Sequence, residues 1–296
     1  TNDIFLLSVV VRDTDDTITW PAGWTQIATV DRGTSARYWW AWKRAASGAE
    51  TNPLVDKNTA TGDTYARVIS FRGAITVGDP WEVKGTPATS ITQPAILSGI
   101  TTLSDDSLIV AALSGEDNVN VSVSWTGTDP ATLTDVYASS ATGADGMIDF
   151  GHRIKKTAGA TGNLTGTFSN QNPVGWGAIV LALRPPPVIT SYTNTTESVR
   201  DFIPGCTDCG ARIGGGAGFR QSVTISGNAL GLITAGNRST VTNNIKVGTH
   251  QIPDANITSW TPTSITFLTD SSVAGDTDTD WGTNFGGTGA ITVTAV

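Results

Sequence analysis

Two cysteines and two histidines are the side chains of this 296-residue sequence with the most versatile chemistry. Cys206 and Cys209 form a CxxC pair. A redox pair of this spacing normally lies at the start of a helix, and a zinc site needs two further ligands. The surrounding sequence supplies neither of these. We therefore expect a local disulfide that fixes a long loop, with two inert free thiols as the alternative.

The histidines do not predict catalysis. His152 and His250 are the only two, and they fall in different predicted domains. General-base and nucleophilic chemistry needs His beside a Ser, a Cys or a carboxylate, and no motif around either residue supplies that arrangement. We expect structural roles for both, no cofactor and no enzyme. A glycan-acting enzyme, the remaining alternative, would require two carboxylates that face each other across a cleft.

Alternating carboxylates at Asp276, Asp278 and Asp280 resemble the start of a calcium-binding loop. The glycine of such a loop comes one position late here, and its twelfth position is Gly287 instead of a bidentate Glu. We therefore interpret the stretch as an acidic solvated turn that holds no metal. A calcium site of another class, either there or in the acidic turn at residues 13–16, is the alternative.

The densest aromatic stretch reads YWWAW and begins at Tyr38. Alternation along a strand places Tyr38, Trp40 and Trp42 on one face, which we expect to pack in the core. Trp39 points to the opposite face, so it is the predicted exposed ring for recognition. Trp281 is the second candidate.

The composition is that of an acidic chain rich in short strands. The formal net charge is −8, and the 18 Lys and Arg residues are scattered along the sequence. Nucleic-acid binding depends on concentrated positive charge, so we expect no nucleic-acid partner. No apolar run reaches the length of a membrane-spanning helix, so we expect no membrane insertion. The 33 Gly and the 15% of charged residues indicate many strands and tight turns.

An internal repeat organises the first 184 residues. Residues 3–24 (DIFLLSVVVRDTDDTITWPAGW) recur as residues 106–125 (DSLIVAALSGEDNVNVSVSW), each with an acidic start, an apolar strand, an acidic turn and a strand ending in Trp. Residues 65–72 (YARVISFR) match residues 177–184 (GAIVLALR). We therefore predict an all-β domain over residues 1–184, built as an internally duplicated, jelly-roll-like sandwich.

The second repeat has a lead-in that the first lacks. Residues 89–103 (TSITQPAILSGITTL) are predicted to be extended, whereas the first repeat begins two residues into the sequence. We therefore predict a vacant sheet edge beside Ile4, Leu6, Val9 and Val11, a template for another strand. That strand comes either from upstream residues missing from a processed piece or from a neighbouring molecule.

A second domain is predicted to follow the proline triplet at residues 185–187, which acts as a stiff extended connector. The motifs QSVTISGNALG (221–231), IKVG (245–248) and ITSWTPTSITF (257–267) resemble the IPT/TIG Ig-like domain in their order and spacing. This resemblance implies an immunoglobulin-like sandwich over residues 188–296.

The first domain is similar to a β-sandwich module of bacterial surface and bacteriophage proteins. The motifs that carry the resemblance are NDIFLLSVVVR (2–12), ITWPAGWTQI (18–27), YWWAWKR (38–44) and AIVLALRP (178–185). The resemblance implies a surface or virion location, and it brings no catalytic residues with it.

The favoured hypothesis is a non-enzymatic structural and attachment subunit of an extracellular assembly. Within that class we favour a bacteriophage virion protein, such as a tail fibre, tail-associated or head-decoration component. Its partners would be other copies of itself or other subunits joined by strand edges, with recognition by the loops at residues 206–218 and 276–289. The alternative is a secreted bacterial adhesin or carbohydrate-binding module in which Trp39 or Trp281 stacks on a cell-surface glycan.

Overall fold

The computed structural model describes residues 3–14, 17–58, 63–75, 78–116, 122–140, 146–169, 175–196, 221–240, 243–247, 250–269 and 291–294. Within these ranges the chain forms antiparallel sheets and one 3-10 turn, with no α-helix, so the predicted all-β fold is confirmed. The chain divides into two compact units, Thr1–Pro186 and Pro187–Val296, and the division falls inside the proline triplet.

The first repeat forms a four-stranded sheet, here called sheet 1, and a two-stranded ribbon. Its strands are β1 (Ile4–Val11), β2 (Ile18–Thr19), β3 (Thr25–Arg32), β4 (Ala36–Arg44), β5 (Asp56–Lys57) and β6 (Thr64–Phe71). The order in sheet 1 is β3-β4-β1-β6, and β2 pairs with β5. β1 is almost wholly buried because strands cover both of its edges and packed side chains cover both of its faces. Burial on both faces explains its sequence, which is apolar except for Ser8.

The second repeat forms the larger sheet 2, a small sheet 3 and a ribbon. Its strands are β7 (Trp81–Lys84), β8 (Ala88–Ser90), β9 (Ala95–Leu97), β10 (Thr101–Thr102), β11 (Ser107–Glu116), β12 (Val123–Thr126), β13 (Thr134–Ser140), β14 (Gly146–Lys155), β15 (Gly159–Ala160), β16 (Leu164–Phe168) and β17 (Trp176–Leu183). Sheet 2 has the order β13-β14-β11-β17-β7, and β8 also pairs with β17. Sheet 3 has the order β12-β16-β9, and β10 pairs with β15.

The two repeats share one strand order, which confirms the internal duplication. β1 lies between β4 and β6, as β11 lies between β14 and β17, and β3 borders β4 as β13 borders β14. The repeats differ at one edge. β7 and β8 cover the outer edge of β17, whereas no strand of the described residues pairs with the outer edge of β6.

The predicted vacancy beside β1 is therefore wrong. Ile4, Leu6, Val9 and Val11 are paired with β4 on one side and with β6 on the other, and all four are buried. The pairing of β1 with β6 joins segments far apart in the sequence, so the repeat comparison could not reveal it. In the described part of the chain, the edge without a pairing strand lies one strand further out, at β6.

Sheets 1 and 2 pack face to face and enclose one core of the first unit, and sheets 2 and 3 enclose another. Alternation along β11 decides the layers: Val110 and Ala112 face sheet 1, whereas Ile109 and Leu113 face sheet 3. Apolar side chains of both repeats fill the space between sheets 1 and 2: Leu6, Val10, Tyr38, Trp40, Ile148, Phe150, Ile179 and Leu181. The first unit is thus a layered β-sandwich.

Trp39 is not the exposed ring that the sequence predicts, since only 5% of its surface is accessible. It packs with Leu7, Val9 and Val11 on the outer face of sheet 1, where Trp20 and other side chains of the β2 and β5 region cover it. The outer face of sheet 1 therefore carries a third, smaller core of the first unit. The same alternation that points Trp39 away from the main core therefore directs it into another core.

The second unit contains two sheets around one core. Its strands are β18 (Val188–Thr196), β19 (Gln221–Asn228), β20 (Asn244–Val247), β21 (His250–Gln251), β22 (Ile257–Trp260), β23 (Ser264–Thr269) and β24 (Ile291–Thr294). The orders are β18-β19-β23-β22 and β21-β20-β24. Ile225, Ile245 and Phe267 share the core with Trp260, whose indole Nε1 donates to the carbonyl of Leu230 at 2.7 Å. The IPT/TIG assignment stays a prediction.

Candidate functional site

Among the described residues, no strand pairs with the outer edge of β6, a strand that is otherwise packed. β6 pairs with β1 on its inner side and packs against β14 of sheet 2. Tyr65 anchors this packing, because its ring lies directly over Gly146, where a Cβ atom would come within 2.2 Å of a ring carbon. A strand held in this way presents its outer row of backbone donors and acceptors in a fixed, extended geometry.

A groove of about 610 Å³ runs beside this edge. Its floor is the face of sheet 2 that extends beyond the cover of sheet 1. Along β14, Phe150 is buried, His152 is half-buried and Ile154 is 47% exposed. Leu108 and Phe71 complete the apolar lining. The groove thus offers an apolar floor next to an open strand edge.

The packing of the two repeats shows which partner is missing. By strand order, β6 is the equivalent of β17, and β4 is the equivalent of β14. β6 packs over β14 and β4 packs over β17, so an approximate two-fold axis relates sheets 1 and 2. On one side of that axis β3 packs over β8. β13 is the equivalent of β3, and the equivalent of β8 would be a strand on the outer edge of β6. The matching contact would therefore bring β13 against that strand. That strand is absent from the described residues.

The covered edge of β17 shows the chemistry that such a strand brings. Trp81 of β7 pairs with Leu183 and stacks edge-on against Trp42, with 5.6 Å between ring centroids. Arg184 follows β17 and is buried there. Burial lowers the pKa of Arg184, and the neighbouring carboxylate of Glu82 in β7 opposes that shift. An aromatic residue followed by an acidic one therefore covers the end of β17.

Arg72 is the repeat equivalent of Arg184, and its surroundings are different. Its side chain is 85% exposed, and it donates two hydrogen bonds of 3.0 Å to the carboxylate of Asp3. Two more cations line the groove, Arg153 and Lys156, and no carboxylate does so in the part of the chain that the structure describes. Arg72 and Lys156 already pair with Asp3 and Asp106, so a carboxylate on an incoming strand would share these cations with them.

His152 lies in the groove beside a backbone carbonyl and an aromatic ring. Its Nδ1 lies 3.1 Å from the carbonyl oxygen of Thr134, and its ring centroid is 6.0 Å from that of Phe71.

Within the described ranges, no group of three or more His, Cys, Asp or Glu side chains could hold a metal ion. In the same ranges, no helix has the length and apolar character to span a membrane.

Several predicted site residues lie outside the described residues, and their predictions stand as they were made. These are Cys206, Cys209, Asp276, Asp278, Asp280 and Trp281, together with Asp15 and Asp16 of the first acidic turn. His250 lies in β21 of the second unit, whereas His152 lies in β14 of the first.

None of the sequence motifs pointed to the groove residues Leu108, Ile154 and Arg72. One available signal was the match between residues 65–72 and 177–184, which pairs β6 with the strand that the lead-in covers. The match makes β6 the equivalent of β17, but only the structure shows that the lead-in pairs with β17 and not with β11. The apolar floor had no such signal, because it depends on how far sheet 1 covers sheet 2.

Comparison with known proteins finds no matching family model, no matching curated protein and no matching solved structure. Functional inference therefore rests on the residues and geometry of this chain.

Proposed function

We propose that this chain is a non-enzymatic structural and attachment subunit of an extracellular assembly, and that its first unit accepts an extended strand from a neighbouring subunit along the outer edge of β6. One observation carries the proposal: β17 has β7 and β8 on its outer edge, and its repeat equivalent β6 has no such partner in the described residues.

The incoming strand pairs antiparallel with β6, as β7 and β8 pair with β17. Main-chain hydrogen bonds supply affinity, and pockets for alternate side chains supply specificity. One apolar side chain covers Leu108 and Ile154 on the groove floor. A neighbouring carboxylate interacts with Arg72 through its charge, as Glu82 does with Arg184. The occupant is therefore a strand of the aromatic-acidic-apolar type that Trp81, Glu82 and Val83 represent.

Residence in a bacteriophage virion is part of this proposal. The support is the resemblance of residues 2–12 and 178–185 to a module of bacterial surface and bacteriophage proteins, and that of residues 188–296 to an Ig-like domain. Strand exchange suits such an assembly because it joins subunits through backbone groups and needs no cofactor.

A synthetic peptide of residues 80–90 (PWEVKGTPATS) tests the proposal against the full chain. We expect saturable one-to-one binding by fluorescence anisotropy. We also expect light scattering after size exclusion to show that the peptide dissociates any self-associated protein. A chain that is monomeric and binds no peptide would overturn the proposal. A scrambled peptide controls for composition, and a peptide with Gln in place of Glu82 should bind more weakly.

Two matched variants locate the binding. Ile154→Asp places a carboxylate on the groove floor. Ile96→Asp makes the same change on β9, away from the groove, and serves as the control because Ile96 is 51% exposed and Ile154 is 47% exposed. We expect Ile154→Asp to weaken binding at least tenfold, about 1.4 kcal/mol, through lost apolar contact and repulsion of the acidic peptide. Ile96→Asp should bind like the unmodified chain. Equal affinities for the two variants would place the peptide elsewhere and refute the proposed site.

A further inference from the structure

A second concave surface lies on the outer side of the first repeat. This cleft has a volume of about 250 Å³ and lies among the start of β1, the end of β4 and the loop that follows β4. Pockets for drug-sized ligands begin at roughly 300 Å³, so the cleft suits a smaller ligand. It has an apolar side and a charged side.

Trp24 and Phe5 form the apolar side, and both are half-buried. The turn PAGW positions Trp24: its backbone N–H donates to the carbonyl of Pro21 at 3.1 Å, and Gly23 adopts a φ of +82°. Gly23 also lies against the side chain of Lys43, where a Cβ atom would come within 3.4 Å of Cε. The turn therefore fixes an aromatic side chain beside the charged groups of the cleft.

Two ion pairs form the charged side. Arg72 donates through Nε and Nη2 to the two carboxylate oxygens of Asp3, each at 3.0 Å. Lys43 Nζ donates to Glu50 Oε2 at 2.6 Å, and Glu50 Oε1 accepts from the backbone N–H of Ala46 at 2.7 Å. These hydrogen bonds hold the pKa of both carboxyl groups below their ordinary values. The two carboxylates balance the two cations, so the cleft has no excess charge to attract an ion.

We propose that this cleft binds one neutral sugar ring, the terminal residue of a glycan. A sugar ring has an apolar face that packs on Trp24, and its hydroxyl groups act both as donors and as acceptors. Asp3 and Glu50 accept hydrogen bonds from them, while Arg72 and Lys43 donate. Because the ion pairs already fix these groups, they lose little conformational freedom when a ligand binds. The cleft is open, so the rest of a glycan extends into solvent.

This site differs from the sugar-stacking hypothesis drawn from the sequence. That hypothesis relied on Trp39, which is buried, and on Trp281. The inference holds whether or not β6 accepts a strand, because Trp24 and Glu50 do not line the groove beside β6. Arg72 borders both sites, so the test variants avoid it.

The test uses the full chain and a panel of neutral methyl glycosides: glucoside, galactoside, mannoside and N-acetylglucosaminide. Binding is measured by saturation-transfer NMR and calorimetry, with sialic acid as the charged comparison. We expect at least one neutral glycoside to bind with millimolar affinity and sialic acid to bind more weakly. No binding by any neutral glycoside, or stronger binding by sialic acid, would overturn the proposal.

Three variants assign the binding to the cleft. Trp24→Ala should reduce affinity at least tenfold, while Trp24→Phe keeps an aromatic face and part of the binding. Glu50→Gln should also weaken binding, and it covers the case in which Trp24→Ala fails to fold. The control is Leu54→Ala, because Leu54 is 82% exposed near the cleft and does not line it. Binding that survives both Trp24→Ala and Glu50→Gln in folded protein would refute the site.

Discussion

Replacing Ser8 and Ser114 by Ala, singly and together, tests whether the two repeats pack through their central strands. Ser8 lies in β1 and Ser114 in β11, and both are fully buried. Their hydroxyl oxygens are 2.8 Å apart, which is the length of a hydrogen bond between sheets 1 and 2. Within the described residues, the two hydroxyls are each other's hydrogen-bond partner, and the neighbouring side chains of β1 and β11, such as Leu6, Val10 and Ala112, are apolar.

Each single substitution leaves one buried hydroxyl without a partner, which costs about 1–3 kcal/mol. The double substitution removes both polar groups and leaves nothing unpaired, so its cost should fall short of the sum of the singles by about 1 kcal/mol. For a unit of this size, 1 kcal/mol lowers the melting temperature by roughly 2–4 °C. We therefore expect both single variants to be less stable than the unmodified protein, and the double variant to lose less stability than the two single losses added together.

Urea unfolding of the full chain, followed by tryptophan fluorescence, measures these differences. Of the 10 Trp residues only Trp260 and Trp281 lie beyond residue 186, so the emission reports mainly on the first unit. Ser70→Ala is the control because Ser70 is exposed on β6. If the two single costs add up to the double cost within about 0.5 kcal/mol, the hydrogen bond between sheets 1 and 2 would be refuted.

Two further predictions concern the same unit. Gly177→Ala should destabilise it by about 1–3 kcal/mol, because the added Cβ would lie 2.3 Å from the buried ring of Tyr38; an unchanged urea midpoint would show that the ring lies elsewhere. Arg72→Met removes the ion pair that lowers the pKa of Asp3. The stability that this ion pair adds is present above the unfolded pKa of 3.8 and is lost as the pH falls through the folded pKa of Asp3. We therefore expect the unfolding free energies of the two proteins to differ near neutral pH and to converge in strong acid. Urea midpoints measured from neutral pH to strong acid test this, and a difference that persists in strong acid would contradict it.

The sequence alone predicted the parts of the fold that depend on local pattern. The continuous apolar runs of β1 and β11 indicated strands buried on both faces, and the repeat between them predicted a duplicated sandwich. Alternation predicted that Tyr38 and Trp40 pack in the core, and both are buried. Side-chain direction alternates along any strand, so such patterns need no knowledge of distant partners.

Strand order was decided only in the tertiary structure. β6 pairs with β1 although most of the first repeat lies between them in the sequence, and this pairing moved the open edge from β1 to β6. Trp39 shows the same limit: alternation predicted its direction, but only the β2 and β5 region determined that the direction leads into another core.

The candidate sites combine both levels. Comparing the repeats predicted that one strand was missing, but the groove beside β6 depends on where sheet 1 stops covering β14. The cleft brings Asp3 to Arg72 and Trp24 to Glu50, residues that no sequence motif connects. Local periodicity determines which side chains a strand can bury. Which edges and surfaces remain uncovered depends on contacts between distant segments, and these form only when the whole unit packs.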